Sequence, residues 1–566
     1  MEQKFIIYQL LLRVFGNTNE NCVSNGSLSY NGTGKFSSIT EEVFAHLRSL
    51  GVSHIWYTGV IEHATQESFE EYGIRKDNPS IVKGIAGSPY AIKDYYDVNP
   101  YLADSVPNRM AEFEDLVLRT HNAGFKVVLD FVPNHLAREY NSDSIPFWGK
   151  EFGIGDNPNS FSPNNSFYYL PGEMFSRGTY NERPARATGN DCFTANPTDN
   201  DWYETVKLNY GVDYMGGGAK HFFPVPATWY LMNEILCFWA SKGVDAFRCD
   251  MAELVPVEFW EWCIKEVKQK YPKVQFIAEV YNPAEYRVYM FRGGFDYLYD
   301  KVGLYDTLKG IAQGHSAYAL HGGWGAPSAS SITGCWQSVN EFQNRMLNFL
   351  ENHDEQRIAS DFNLYDPFRA IPSLAVSLML NKAPFMIYCG QEVGERGMLQ
   401  EGFSGVDGRT SIFDWCSAPG IVRLHKGTLT DSETELLQVY RDMLNFAMQS
   451  KAITSGETFD LQYANYNNPG FDSDKCYVFA RRYSGNQADS FHRGGNVLAG
   501  NGCVEENKDE LVIVVADFSQ KYETARVNLP EEFFRHLQIP YGELNPFEQI
   551  QVNFNKYGVA LLKYQL

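Results

Sequence analysis

The sequence predicts an α/β protein: a parallel sheet wrapped by helices, read as an eight-fold (β/α)8 TIM barrel, with an inserted domain after the third strand and a C-terminal β-sandwich. Three observations carry this reading. Helix-then-buried-strand units recur from the start of the chain to about residue 450. The alternation stops between His135 and about Pro226, and it is replaced after residue 451 by short apolar runs separated by polar turns. A doubly wound open sheet shares the local helix–strand pattern and is the competing topology at this level.

The elements follow in order. Residues 5–12 form an apolar run that Gln9 interrupts and no small-residue cleavage site follows, so the run reads as a first strand rather than a secretion signal. A cytoplasmic location is the expectation. Ser38 and Glu41 make a candidate capping box, after which Val43, Leu47 and Leu50 give a helical stripe that Gly51 ends, with a strand over 52–60. Phe113, Leu116 and Val117 mark a second helix closed by Gly124 and followed by a strand over 127–132. Residues 229–239 lead through Gly243 to a strand ending at Asp250, and a helix over 257–271, stopped by Pro272, leads to a strand over 274–280. The barrel is thereby assigned to 1–135 and 226–451. Residues 136–225, rich in Asn, Gly, Pro and aromatics, are too many for a barrel loop and read as the inserted domain. A helix over 433–448 precedes residues 452–566, where 477–480, 510–515 and 559–562 read as sandwich strands and 494–507 as an exposed loop.

At 566 residues the chain exceeds a single core. Its 69 Asp and Glu against 48 Lys and Arg argue against nucleic acid or an anionic membrane as partner and suit a neutral ligand. Ten cysteines lack paired spacing, and Cys237, Cys249 and Cys389 fall inside apolar runs, so reduced thiols are expected. No run is long and apolar enough to span a bilayer.

Four segments place polar groups at or near strand ends: 129–135 with Asp130, Asn134 and His135; 244–250 with Arg248 and Asp250; 276–280 with Glu279; 350–354 with His353 and Asp354. Barrels of this class build their sites at the carboxyl ends of strands. Cleaving a glycosidic bond needs one carboxylic acid to protonate the departing oxygen and one carboxylate to act at the anomeric carbon. Asp250 and Glu279 end neighbouring strands, so they converge at the barrel mouth. Arg248, two residues before Asp250, shares its face and is expected to hold it ionised as a nucleophile. Phe276, Ile277 and Ala278 give Glu279 an apolar setting that is expected to keep it a proton donor. Any one of these groups is more often a cap or loop residue than a catalyst; their weight lies in co-occurrence.

These segments resemble the signature regions of the α-amylase family, glycoside hydrolase family 13, and the likeness extends to residues 88–96, 384–392 and 407–415. The resemblance implies Asp250 as nucleophile, Glu279 as general acid and base, and Asp354 as a third acid that binds sugar hydroxyls. It implies Arg248, His135 and His353 as groups that hold the sugar, and Tyr90 as the ring beneath it. It further implies an α-glucan oligosaccharide as partner, neither nucleic acid nor membrane, and retention of anomeric configuration. The simplest activity is that of an α-amylase on α-1,4 bonds; a glucanotransferase or a maltogenic or neopullulanase-type enzyme is the alternative on the same site. A non-catalytic scaffold is disfavoured by the presence of all three acids. No cofactor is required for the chemistry and no metal ligand is assigned. Two departures stand out. Glu253 and Leu254 replace the Lys-His pair of many α-amylases, and Lys207 stands where a calcium-ligating aspartate is common, as in the neopullulanase and cyclomaltodextrinase branch. Calcium stays compatible with the family, but here an ammonium is expected to supply the ion's charge.

Overall fold

The computed structural model describes residues 4–314, 328–397, 402–485 and 509–566. Eight parallel strands close a barrel: β1 Ile6–Leu11, β2 His54–Thr58, β3 Lys126–Phe131, β4 Ala246–Cys249, β5 Gln275–Ala278, β6 Tyr297–Tyr299, β7 Met346–Phe349 and β8 Phe385–Tyr388. They neighbour one another in chain order and β8 pairs with β1, so the sheet is a closed barrel and not the open doubly wound alternative. Helices α1 Glu41–Ser49, α2 Arg109–Asn122, α3 Ala227–Ser241 and α4 Val257–Lys270 precede β2 to β5. Gly124 and Gly243, at φ +93° and +94°, make the left-handed turns that return the chain from α2 and α3 into the next strand.

The period-two pattern of the strands explains where the site forms. Ile6, Tyr8 and Leu10 of β1 join the large core beneath the helices, whereas Ile7, Trp56, Val128, Ala246, Ile277, Leu347 and Met386 belong to a separate apolar cluster inside the barrel. Two residues further along the same strand faces come Gln9, Asp130, Arg248 and Glu279. An apolar plug therefore floors the barrel, and a polar layer lies directly above it at the carboxyl end.

One expected feature fails. Ser38 does not cap α1; it ends a 3₁₀ turn at Phe36–Ser38, where its hydroxyl accepts from the Lys35 amide at 3.0 Å. Phe36 and Ile39 are both fully buried, which anchors the chain before the helix starts, and α1 begins after Thr40 without a side-chain cap.

Residues 136–225 carry only short strands. The first pair, His135–Ala137 with Thr205–Lys207, runs antiparallel and sets Lys207 opposite His135. Beyond helix α5 Asp431–Gln449, strands β9 Glu457–Asp460, β10 Cys476–Tyr483, β11 Glu510–Asp517 and β14 Val559–Gln565 form an antiparallel sheet, and β12 Thr524–Asn528 pairs with β13 Gln549–Asn553. Strand β11 is buried on both faces: Val512, Val514 and Ala516 join the barrel core, and Leu511, Ile513 and Val515 the sandwich core. The loop expected over 494–507 lies outside the described residues. All nine described cysteines are free. Among the described residues no helix is long and apolar enough to cross a membrane.

Candidate active site

A cavity of about 570 Å³ opens at the carboxyl end of the barrel, and Tyr90, His135, Asp250, Glu279, His353 and Asp354 line it. Arg248, the seventh residue singled out by sequence, lies beneath the cavity with no exposure. Strands β4 and β5 are parallel neighbours, and the Asp250 and Glu279 amides continue their ladders by donating to Phe131 and Cys249 carbonyls. That register brings the two carboxyls to one guanidinium. Arg248 Nη1 donates to Asp250 Oδ1 at 2.7 Å, and Nη2 lies 2.8 Å from Glu279 Oε2. Arg248 Nε donates to the Tyr299 hydroxyl at 3.1 Å, and the rings of Trp56, Tyr90 and Tyr299 lie 5.4, 5.4 and 5.5 Å from the guanidinium carbon. A fully buried cation is tolerated because carboxylates and π faces surround it.

The sequence predicts that Arg248 holds Asp250 ionised; in the folded site burial works against that charge. Burial pushes the Asp250 carboxyl well above the ordinary carboxylate range, with Arg248 opposing and Glu279 reinforcing the rise. Burial likewise raises Asp130 to about 6 and Asp354 to about 7, Arg248 opposing both. Four acids thus gather around one guanidinium, and burial raises three of them, Asp130, Asp250 and Asp354.

Glu279 is held from two further sides. The Met251 amide donates to Oε2 at 2.7 Å and the Tyr281 hydroxyl to Oε1 at 2.5 Å. Met251 adopts a left-handed conformation at φ +43°, ψ +44°, a strain of roughly 1–3 kcal/mol that aims its amide at the carboxylate.

A hydrogen-bonded chain orders the other wall. Gln9 Nε2 donates to His353 Nδ1 at 2.7 Å, which leaves the ring proton on Nε2, 2.6 Å from the Tyr90 hydroxyl and 3.1 Å from Asp354 Oδ2. Tyr90 stacks on His353 with ring centres 5.1 Å apart, and its hydroxyl donates to Asp130 Oδ1 at 3.3 Å. Trp56 Nε1 fixes the other Asp130 oxygen at 2.9 Å. Burial and the Arg248 charge push the His353 imidazole well down, and burial and Lys207 push His135 down to about 3, so both rings are neutral at neutral pH.

Lys207 is buried where the insert meets the barrel. Its Nζ donates to Asn134 Oδ1 at 2.7 Å, lies 2.5 Å from Asp191 Oδ1, and points to the Leu254 carbonyl at 3.4 Å. The Lys83–Glu204 pair, 3.1 Å apart, and Trp202 bring the same insert to the rim of the cavity.

Sequence reasoning missed Gln9, Trp56, Met251, Tyr281 and Tyr299. Gln9 alone carried a signal: a single amide in an apolar strand had a reason to be there. The others are apolar or aromatic residues whose polar atoms matter only once the barrel is closed.

The sequence pattern described as alpha amylase, catalytic domain, matches residues 9–411. Alpha-amylase 3 of Dictyoglomus thermophilum is 22% identical over 398 residues, which covers 65% of this chain and 68% of that protein. An alpha-1,4-glucan:maltose-1-phosphate maltosyltransferase of Cereibacter sphaeroides is 41% identical over 64 residues, 11% of either chain. In fold, the ligand-free cyclic alpha-maltosyl-(1→6)-maltose hydrolase of Arthrobacter globiformis superposes with a TM-score of 0.62 at 17% identity, covering 100% of this chain and 98% of the other.

Proposed function

The chain belongs to the α-amylase family, and from that premise we propose that it is a retaining enzyme acting on α-glucan oligosaccharides, most simply an α-amylase that hydrolyses α-1,4 bonds. The observation that carries this is the bridging of Asp250 and Glu279 by the single guanidinium of Arg248. A shared guanidinium favours the closer spacing of a retaining pair, roughly 5–5.5 Å, over the roughly 6.5–9.5 Å that an inverting pair needs to admit water.

In this reading Asp250 attacks the anomeric carbon while Glu279 protonates the departing oxygen; the C–O bond breaks as the glycosyl–Asp250 ester forms. Glu279, now ionised, takes a proton from water, which displaces Asp250 and restores the site. Tyr90, stacked on His353, offers its ring to the sugar, and Asp354 with the neutral His135 and His353 binds hydroxyls. Digestion of maltoheptaose followed by proton NMR tests the proposal: the α-anomer is expected first, and a β-anomer as first product refutes retention.

A maltosyl- or glucanotransferase reading draws on the local match to the maltosyltransferase. The ester is the same, and a sugar hydroxyl replaces water. The maltoheptaose digest distinguishes the two, because only transfer yields chains longer than the substrate.

The calcium that the family implies does not fit beside Asn134. Lys207 Nζ already donates to the Asn134 side-chain oxygen and pairs with Asp191, and an ammonium repels a cation. In our proposal the charge of Lys207 takes that structural role.

A further inference from the structure

We propose that Glu62, Asp94, Asp97 and Asp143 form a binding site for a hard, oxygen-seeking divalent cation, calcium by preference, outside the catalytic cavity. One oxygen from each lies within 4.8 Å of the others, the diameter of a shell of oxygens at Ca–O distances of about 2.4 Å. Glu62 and Asp94 face each other in the hairpin of strands Ile61–His63 and Ile92–Val98, Asp97 lies further along the second strand, and Asp143 comes from the start of the insert. Residues from two distant stretches of chain thus meet at one point.

Acidic groups gather on many surfaces without an ion. Here the pointer to a ligand is Glu62: it is 3% exposed, and its Oε2 is sealed from solvent with no hydrogen-bond partner. A buried carboxylate oxygen without a donor is rare, because nothing replaces the water it lost. Glu62 is not alone. The Tyr96 and Tyr140 phenols are also buried without partners, and burial raises the pKa of both, with the charge of Asp94 adding to the rise.

The cations at hand do not answer this need. Arg109 Nε donates to Asp97 Oδ2 at 2.8 Å and Nη2 lies 3.5 Å from Asp143 Oδ2, but the guanidinium makes no hydrogen bond to Glu62. Lys93 is turned to Asp77 at 3.0 Å. Four carboxyls against one guanidinium leave a negative excess that a dipositive ion reduces, and calcium accepts 6–8 oxygens in irregular geometry where magnesium demands a near-octahedral six. Asp94 Oδ2 already accepts the Asp143 and Ser144 amides at 2.9 and 3.1 Å. An ion here fastens the first residues of the insert to the hairpin, at a point separate from Lys207.

The test is calorimetric titration of CaCl2, with MgCl2 in parallel, into the chelator-treated full chain and its Glu62→Gln and Asp143→Asn variants. One Ca2+ per chain is expected, bound at least about tenfold more weakly by either variant, with a calcium-dependent rise in melting temperature that Glu62→Gln loses. Absence of any heat or melting response at about 10 mM of either cation, or a response both variants keep, overturns the site; tighter binding of Mg2+ than Ca2+ overturns the choice of ion. If Glu62→Gln does not fold, Asp143→Asn, at the solvent edge, decides by the same criteria.

Discussion

Replacing Lys207 by methionine tests how the insert is fastened to the barrel. Methionine keeps the length and apolar stem of the side chain and removes its three donors. Asn134 is 1% exposed, and its side-chain oxygen loses the Lys207 donor, a cost of about 1–3 kcal/mol for a buried acceptor. Asp191, whose side chain is 38% exposed, rehydrates, so its share is about 0–1 kcal/mol. Part of the loss is returned, because burial lowers the Lys207 pKa and the folded state therefore penalises its charge. The balance is about 2 kcal/mol. Spread over cooperative unfolding of so long a chain this moves the melting temperature by only about 2 °C. Local opening of the insert is the sensitive readout, since about 2 kcal/mol raises the open population roughly 30-fold. Hydrogen exchange of peptides covering residues 186–210 is expected to accelerate by that order, and added calcium is expected not to reverse it. Exchange within about twofold of wild type refutes the reasoning, because it means Lys207 bears no load.

Gln9→Leu leaves His353 without its Nδ1 donor, and kcat/KM is expected to fall about 10–100-fold while the fold persists; unchanged kinetics contradict the orienting role. Tyr281→Phe removes the hydroxyl from Glu279 Oε1 and is expected to lower kcat/KM about tenfold on glucans but less on glycosyl fluorides, whose leaving group needs no proton; equal loss on both argues against a role in proton transfer. Burial raises the Asp300 carboxyl from 3.8 to about 6, so its folded pKa exceeds the unfolded one; the stability it contributes is fully present below pH 3.8 and is lost as pH rises through about 6. Asp300→Asn retains an acceptor for the Leu304 amide, and its unfolding free energy is expected to match wild type near pH 3.8 and exceed it near pH 8, by a margin on the order of 2–3 kcal/mol; the same difference at both pH values rules this out.

The barrel was legible because its strands obey a strict period of two. The apolar inward residues Val128, Ala246 and Ile277 are each followed two positions later by Asp130, Arg248 and Glu279, so one pattern announces both the core and the site above it. Six of the seven assigned site residues line one cavity, with Arg248 buried beneath it, because adjacent parallel strands keep register, as β4 and β5 do. What escaped depends on contacts between distant segments. Gln9 breaks the apolar run of its strand, and its partner, His353, lies more than three hundred residues away in sequence. Ser38 satisfied a local capping rule that the burial of Phe36 and Ile39 overrides. The insert's strands, two or three residues long, offer no periodicity to read. Glu62 and Asp143 lie far apart in sequence and meet only through the hairpin and the insert.

The central claim is that Asp250 and Glu279 act as nucleophile and acid–base of a retaining enzyme. Mass spectrometry of the Glu279→Gln variant incubated with α-maltotriosyl fluoride tests it most directly. Fluoride departs without a proton, so the first step proceeds, while the second lacks its base and the ester accumulates. The account predicts a single maltotriosyl adduct on the peptide that carries Asp250. An adduct on another residue, or rapid turnover of the fluoride with no adduct, contradicts it.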